Sequence, residues 1–289
     1  MSPICNFLLR GAAWAAATWL GLAGAAQAQV DTDVDVELVL AVDISVSMTE
    51  SELEIQRDGY AAALTHPEVL RAITSGAYGK IAVTYFEWAG VTTQNVIVPW
   101  TVIAGQEDAE RVAKQISVLP SWQPRRTSIS GALNFGAGLL ATSPHRGIKR
   151  VIDVSGDGAN NEGPPMAETR DAVVARGITI NGLPVMDGKD LKPYEVVDLD
   201  VYFSECVMGG PGAFVLPVGD WEQFPEAIRR KLLMELAVQP PSPSRGLPPP
   251  VILAQAKPAY DCAIGEKLWR TDPRQHLFNP ENEPKFQPK

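Results

Sequence analysis

A short string of polar residues near the start of the chain has the composition of a cation site. Asp43, Ser45 and Ser47 alternate with apolar residues in Asp-Ile-Ser-Val-Ser-Met, directly after a run of apolar residues. In an exposed turn they would bring one carboxylate and two hydroxyls together, and such hard oxygen ligands suit Mg²⁺ or Mn²⁺ better than a soft metal. The same hydroxyls could instead cap the helix that follows. The string alone leaves both interpretations open.

Two further oxygen-bearing residues occur where the same site would need them. Thr127 stands at the mouth of a predicted helix, and Asp157 follows a predicted strand in Ser-Gly-Asp-Gly. Gly158 allows the chain to turn away after that aspartate. In open α/β sheets the ligand crevice lies at the carboxyl ends of the strands. These residues are therefore candidates to join Asp43.

The elements that must position these residues follow from the hydrophobic pattern. An apolar run at 36–42 is typical of a parallel strand covered on both faces, and Thr49 with Glu52 predicts a capping box that opens the first helix. Pro99 places its strand at a sheet edge. Further strands are predicted at 80–87, 95–103, 150–155, 177–185 and 213–218, and further helices at 107–119, 130–141, 165–176 and 221–238, with a mixed segment at 191–208. Strands that alternate with helices predict an α/β fold, a doubly wound and mostly parallel sheet with helices on both faces.

Composition shifts divide the chain. Residues 1–10 are of mixed polarity with a single basic side chain, Arg10, residues 11–25 are apolar and Ala-rich, and the small-x-small sequence Ala-Gln-Ala follows at 26–28. This pattern predicts a secretory signal peptide at 1–28. An uncleaved anchor is the alternative, although the apolar run is shorter than the ~20 residues a spanning helix needs. An acidic leader at 29–34, a folded domain at 35–238 and a Pro-rich linker with a C-terminal tail at 239–289 follow. We expect a secreted or periplasmic chain with no membrane span after cleavage.

The cysteine count and the net charge indicate how the chain is cross-linked and which partners are excluded. Removing the signal leaves Cys206 and Cys262, which in an exported chain suggest one disulfide, with two free thiols as the alternative. The net charge of −9 argues against a nucleic-acid partner, which would require a basic face.

Asp43, Ser45, Ser47, Thr127 and Asp157 together resemble the metal-ion-dependent adhesion site of von Willebrand factor A (vWA) domains, the integrin I-domain family. The family pattern is Asp-x-Ser-x-Ser, then a distant Thr, then a distant Asp. The resemblance covers residues 35–238 and looks closest to exported bacterial vWA-like proteins of unknown function, on the runs 156–161 and 209–214.

The resemblance implies a vWA/Rossmann-like fold and a binding role. The serines would bind Mg²⁺ (or Mn²⁺ or Ca²⁺) directly, and Thr127, Asp43 and Asp157 would bind it directly or through water. A protein partner would supply the last oxygen from an Asp or Glu carboxylate. The expected function is a secreted, cation-dependent module for adhesion or assembly, and not an enzyme.

The chain departs from the family pattern at a few positions. Val46 stands where Gly is frequent, and would be harmless if its side chain turned into the core. Arg125 and Arg126 replace a frequent Gly-Gly and could grip an acidic partner, or form a solvated loop or a local ion pair. Trp88 and Trp122 could flank the same face as partner contacts, or pack into the core.

Two other functions stay open. A metal-assisted hydrolase or phosphatase could use Asp43 as nucleophile, but an Asp-x-Asp site would need a carboxylate where Ser45 stands. The sequence also has no G-x-S-x-G elbow. The second alternative is a vWA scaffold with a vestigial metal site.

Overall fold

A central five-stranded sheet organises the computed structural model, which describes residues 32–117, 124–186, 196–237 and 260–271. The sheet order is β3-β2-β1-β4-β5; β3 is antiparallel to β2, and the other neighbours pair in parallel. β3 carries Pro99 and lies at an edge, as predicted. The strands are β1 (Thr32–Asp43), β2 (Ile81–Trp88), β3 (Gln94–Ile103), β4 (His145–Gly156) and β5 (Thr179–Pro184).

Helices cover both faces of this sheet, which confirms the predicted α/β fold. One apolar core joins one face to α1, α2, α3 and α7, and a second core joins the other face to α4, α5 and α6. A π-helical turn, Phe203–Val207, continues α6. The helices are α1 (Glu50–Thr65), α2 (Pro67–Thr74), α3 (Gln106–Ile116), α4 (Ile129–Ala141), α5 (Met166–Val174), α6 (Leu199–Tyr202), α7 (Phe224–Leu236) and α8 (Ile264–Thr271).

The central strand β1 shows why the sequence folds in this way. Leu38, Leu40 and Val42 point into one core, whereas Val39 and Ala41 point into the other. Successive side chains of a strand point to opposite faces of the sheet, so a continuous apolar run supplies apolar side chains to the cores on both faces. The capping box at the start of α1 is also present. The polar string that begins at Asp43 therefore starts at the carboxyl end of the central strand.

The structure corrects several boundaries. β1 begins at Thr32, so half of the predicted acidic leader is strand, and Asp33 pairs with Arg146 on β4. The segment predicted as a last strand, 213–218, makes only isolated bridges at Val215 and Val218, because Pro184 on β5 has no N–H with which to join these bridges into a ladder. α2 was not predicted, and the predicted last helix starts with a 3₁₀ turn, Trp221–Gln223.

The C-terminal tail is partly folded onto the domain. Cys206 of the π-helical turn and Cys262 form a disulfide, which confirms that prediction, and α8 follows it. The predicted signal peptide and most of the predicted linker lie outside the described residues. Within the part that the structure describes, no helix is both long and apolar enough to cross a membrane.

Candidate metal centre

Two neighbouring parallel strands bring the candidate ligands to one edge of the sheet. β1 ends at Asp43, and β4 ends one residue before Asp157. The strands pair in parallel, with Val42 beside Ser155, so both aspartates emerge at the same edge. This edge is the one predicted from the position of the motif at the carboxyl ends of strands.

A chain of short hydrogen bonds connects the candidate ligands. The Ser45 amide donates to Asp43 Oδ1 at 2.7 Å, and the two hydroxyl oxygens of Ser45 and Ser47 lie 2.9 Å apart. The Ser47 hydroxyl donates to Asp157 Oδ1 at 2.8 Å. The structure therefore brings four of the five predicted residues into one group, although 110 positions separate Ser47 from Asp157 in the sequence.

Thr127, the fifth predicted residue, stands beside this group. A Cβ added to Gly158 would lie 3.8 Å from the Thr127 hydroxyl oxygen, which places that hydroxyl next to the residue after Asp157. Asn161 fixes the backbone on both sides: its side-chain oxygen accepts from the Thr127 amide at 3.1 Å, and its own amide donates to the Thr127 carbonyl at 2.8 Å. The role of these five residues as cation ligands stays a prediction.

The electrostatics of the group favour a cation. Asp43 is fully buried, and its Oδ2 atom has no hydrogen-bond partner. Burial first, and then the negative charge of Asp157, raise the pKa of Asp43 well above its usual range, although the hydrogen bond from the Ser45 amide lowers it in part. A divalent cation would relieve both the burial cost and the repulsion between the carboxylates. The residues present therefore fit a hard cation.

The donor set would consist of hydroxyls and carboxylates. Over residues 32–117, 124–186, 196–237 and 260–271, no three or more His, Cys, Asp or Glu side chains group together closely enough to hold a metal. An ion at this edge would depend on Ser45, Ser47 and Thr127 as well as on the two aspartates. Ser47 is exposed, whereas Ser45 is buried, so the group opens to solvent on the Ser47 side.

Supporting residues that sequence reasoning missed hold Asp43 from behind. The Gln56 amide nitrogen donates to the Asp43 carbonyl at 2.8 Å from inside α1. A Cβ on Gly156 would lie only 2.9 Å from Asp43 Oδ2, so this position has no room for a side chain. The Gly before Asp157 was a visible signal, but no pattern in α1 singles out Gln56.

The residues predicted as possible partner contacts differ in their exposure. Arg125 is exposed, and Arg126 is half-buried with its guanidinium 4.2 Å above the ring of Trp269 on α8. Of the two alternatives for Trp88, the structure shows packing into the core, because this residue ends β2 beside Asp43 and its side chain is 0% exposed. Trp122 lies outside the described residues.

Val46 also differs from expectation. Its side chain does not turn into the core but is 53% exposed beside Ser47, because the turn that follows β1 points it outward. The rim of the candidate site thus combines an exposed apolar side chain and an exposed arginine.

Comparison with known proteins agrees with this fold. A pilus adhesin, SpaC from Lactobacillus rhamnosus GG in its open conformation, matches with a TM-score of 0.51 and 14% identity over 70% of this chain and 30% of its own. Proximal thread matrix protein 1 from the mussel byssus, with a zinc-occupied MIDAS motif, matches with a TM-score of 0.50 and 15% identity over 71% of this chain and 48% of its own. A von Willebrand factor type A protein from Catenulispora acidiphila has a TM-score of 0.48 and 16% identity over 70% of this chain and 42% of its own.

At these identities the similarity concerns the fold alone. The chain spans about half of the mussel protein's length, 42% of the Catenulispora protein and 30% of SpaC. No curated protein matches the chain in sequence. The family model described as Protein of unknown function (DUF1194) matches residues 33–240, which is most of the chain. The chain therefore belongs to the DUF1194 family, with a vWA-like fold.

Proposed function

We propose that this domain binds a divalent cation through Asp43, Ser45, Ser47, Thr127 and Asp157, and uses that cation to hold a protein partner. The observation that carries the proposal is the fully buried Asp43 carboxylate, which has an unpartnered Oδ2 atom. It accepts a hydrogen bond from the Ser45 amide, and the hydroxyls of Ser45 and Ser47 continue this connection to the carboxylate of Asp157. Mg²⁺ is the first candidate, with Mn²⁺ or Ca²⁺ as alternatives, because all donors are hard oxygens.

The chemistry of the donor set explains why a partner would be needed. The hydroxyls of Ser45, Ser47 and Thr127 are neutral, so the donors leave an Mg²⁺ ion with capacity for a further anionic oxygen. Mg²⁺ keeps water in positions that the protein does not fill, and an incoming carboxylate can replace such a water. The proposed partner supplies this group from an Asp or Glu side chain.

The rim of the site supports an acidic partner. Arg125 is exposed one residue before Arg126, and Val46 is exposed beside Ser47. A cationic side chain at the rim favours encounter with an acidic surface, while an exposed apolar side chain adds contact area. The partner segment we propose therefore has a carboxylate next to apolar residues.

Binding rather than catalysis is the function that the surroundings of Asp43 favour. Two residues after Asp43 stands Ser45, where a phosphatase of the Asp-x-Asp type would have its second carboxylate. Of the histidines within the described ranges, His66 caps α2, and His145 begins β4 at the opposite edge of the sheet. Neither can serve as a base for a nucleophile at the candidate site.

The comparisons support a binding module outside the cytoplasm. SpaC is described as a pilus adhesin, and the mussel protein as a thread matrix protein. We carry over from them only the expectation of an adhesion or assembly role. The predicted signal peptide at 1–28 leads us to propose a secreted or periplasmic location.

Calorimetric titration with Mg²⁺, Mn²⁺ and Ca²⁺ tests the proposal. We expect the wild type to bind, and Asp43→Asn, which keeps the shape but removes the charge, to lose binding. Asp58→Asn is the matched control, because Asp58 is an exposed carboxylate on α1. A wild type that binds none of the three ions would instead favour the scaffold with a vestigial site. Phosphate-ester turnover that depends on Asp43 would favour the hydrolase.

A further inference from the structure

A C-terminal strap, residues 260–271, packs against the loops that carry two of the candidate ligands. The disulfide between Cys206 and Cys262 ties its first turn to the domain, and the Tyr260 hydroxyl donates to Asp198 Oδ1 at 2.8 Å. The strap lies beyond the family match, which ends at residue 240. Its contacts are thus an addition to the vWA-like core.

The first contact of the strap is with the turn that follows Asp157. A Cβ on Gly265 would lie 2.1 Å from the Asn160 carbonyl oxygen, so the backbone of α8 rests directly on this turn. The Asn160 side-chain nitrogen donates to Glu266 Oε1 at 2.7 Å. Asn160 is in turn bonded to the domain, because its side-chain oxygen accepts from the Ser130 amide at 2.9 Å.

The second contact is with the loop that carries Thr127. The guanidinium of Arg126 lies 4.2 Å from the ring centre of Trp269, within the range of a cation–π interaction. Arg126 directly precedes Thr127, and Asn161, which directly follows Asn160, holds the Thr127 backbone through two hydrogen bonds. The strap therefore touches the chain next to Thr127 and again three residues after Asp157.

We propose that the strap is a positioning device that holds the Thr127 and Asp157 loops in the arrangement that binds the cation. This inference rests on the proposed cation site. Groups outside the first layer of ligands orient those ligands, and their loss weakens metal affinity by roughly 10–100-fold. Here both loops lack strand or helix structure at the ligand itself, so contacts from a disulfide-anchored helix reduce the ordering that binding must supply.

The combined variant Glu266→Ala, Trp269→Ala tests the strap. Both side chains are half-buried at the surface of the protein, and neither is a candidate ligand. Lys267→Ala is the control on the same helix, because Lys267 is 60% exposed and pairs with Asp261 inside the strap. We expect Mg²⁺ or Mn²⁺ affinity, measured by calorimetry, to fall about tenfold in the combined variant and to stay unchanged in the control.

Amide hydrogen exchange gives a second readout that does not depend on the cation. Peptides that cover 124–131 and 156–162 are expected to exchange faster in the combined variant than in Lys267→Ala. Unchanged exchange together with unchanged or higher cation affinity would overturn the strap proposal. If the wild type binds no cation, the proposed function fails, and exchange alone decides: faster exchange in the combined variant supports the strap, and equal exchange overturns it.

Discussion

Lys231→Met removes the positive charge from a fully buried cluster and should destabilise the protein strongly. Lys231 Nζ lies 2.6 Å from Asp153 Oδ1 and 2.7 Å from Glu235 Oε1, and all three side chains are almost completely buried. The cluster joins α7 to β4, the strand that leads to Asp157. Methionine has a similar volume to lysine, so the change in charge outweighs the change in packing.

The expected magnitude follows from the burial. Breaking a buried ion pair by removing one partner costs about 3–5 kcal/mol, because an uncompensated charge stays in the interior. Burial and the negative charge of Glu235 raise the pKa of Asp153 to about 7 even with Lys231 present. Without Lys231, protonation of Asp153 or Glu235 is the remaining way to remove the uncompensated negative charge from the interior. The destabilisation should therefore be largest near pH 8 and decrease by up to roughly 1.4 kcal/mol for each pH unit and proton as the pH falls.

Urea unfolding of wild type and variant at pH 8 and pH 6 measures this loss. Lys114→Met is the matched control, since Lys114 is exposed on α3, and it should change the free energy of unfolding by less than about 0.5 kcal/mol. Should Lys231→Met not fold at pH 8, Glu235→Gln provides a milder change that keeps a side chain for Asn181 to contact. A loss below about 1 kcal/mol for Lys231→Met, or a loss that grows as the pH falls, would refute the reasoning.

Three further predictions address other parts of the molecule. Burial raises the pKa of Glu87 from 4.5 to about 7 despite its ion pair with Arg57. The contribution of the protonated Glu87 side chain to stability is therefore present at low pH and is lost as the pH rises through 7. Glu87→Gln should reduce the difference in unfolding free energy between pH 5 and pH 8 by up to about 3 kcal/mol. Gly156→Ala places a Cβ 2.9 Å from Asp43 Oδ2 and should weaken cation binding in calorimetry, whereas Gly138→Ala, with nothing within 4 Å, should not. Thr49→Ala removes the capping box of α1 and should cost about 1 kcal/mol in urea unfolding.

The fold was largely predictable because its signals are local. The apolar run of β1 and the capping box at Thr49 mark their elements by period and by residue type. The segment at 213–218 misled for a physical reason: its apolar residues resemble a strand, but Pro184 on the neighbouring β5 has no N–H to complete the ladder. α8 was missed because a short helix in a Pro-rich tail owes its place to contacts with distant residues, such as that between Glu266 and Asn160.

Some features of the candidate site could likewise be predicted from the sequence, and others could not. The grouping of Asp43 with Asp157 could be expected, since parallel neighbouring strands end at one edge. The choice between a partner contact and core packing for Trp88 could not be made, because a tryptophan at a strand end looks the same in sequence whether it faces solvent or the core. The same limit applies to Arg126, whose partner Trp269 is 143 positions away in the chain.

The disulfide between Cys206 and Cys262 also changes what a protease can do to this protein. It closes a covalent loop across 56 positions, and that loop contains the Pro-rich stretch between α7 and the strap. A single cut in that stretch would produce two polypeptides that stay joined through the sulfur atoms. α8 would keep its place beside the candidate site after such a cut, and the two pieces would separate on a denaturing gel only after reduction. Limited cleavage in this stretch would thus nick the chain without releasing its C-terminal helix.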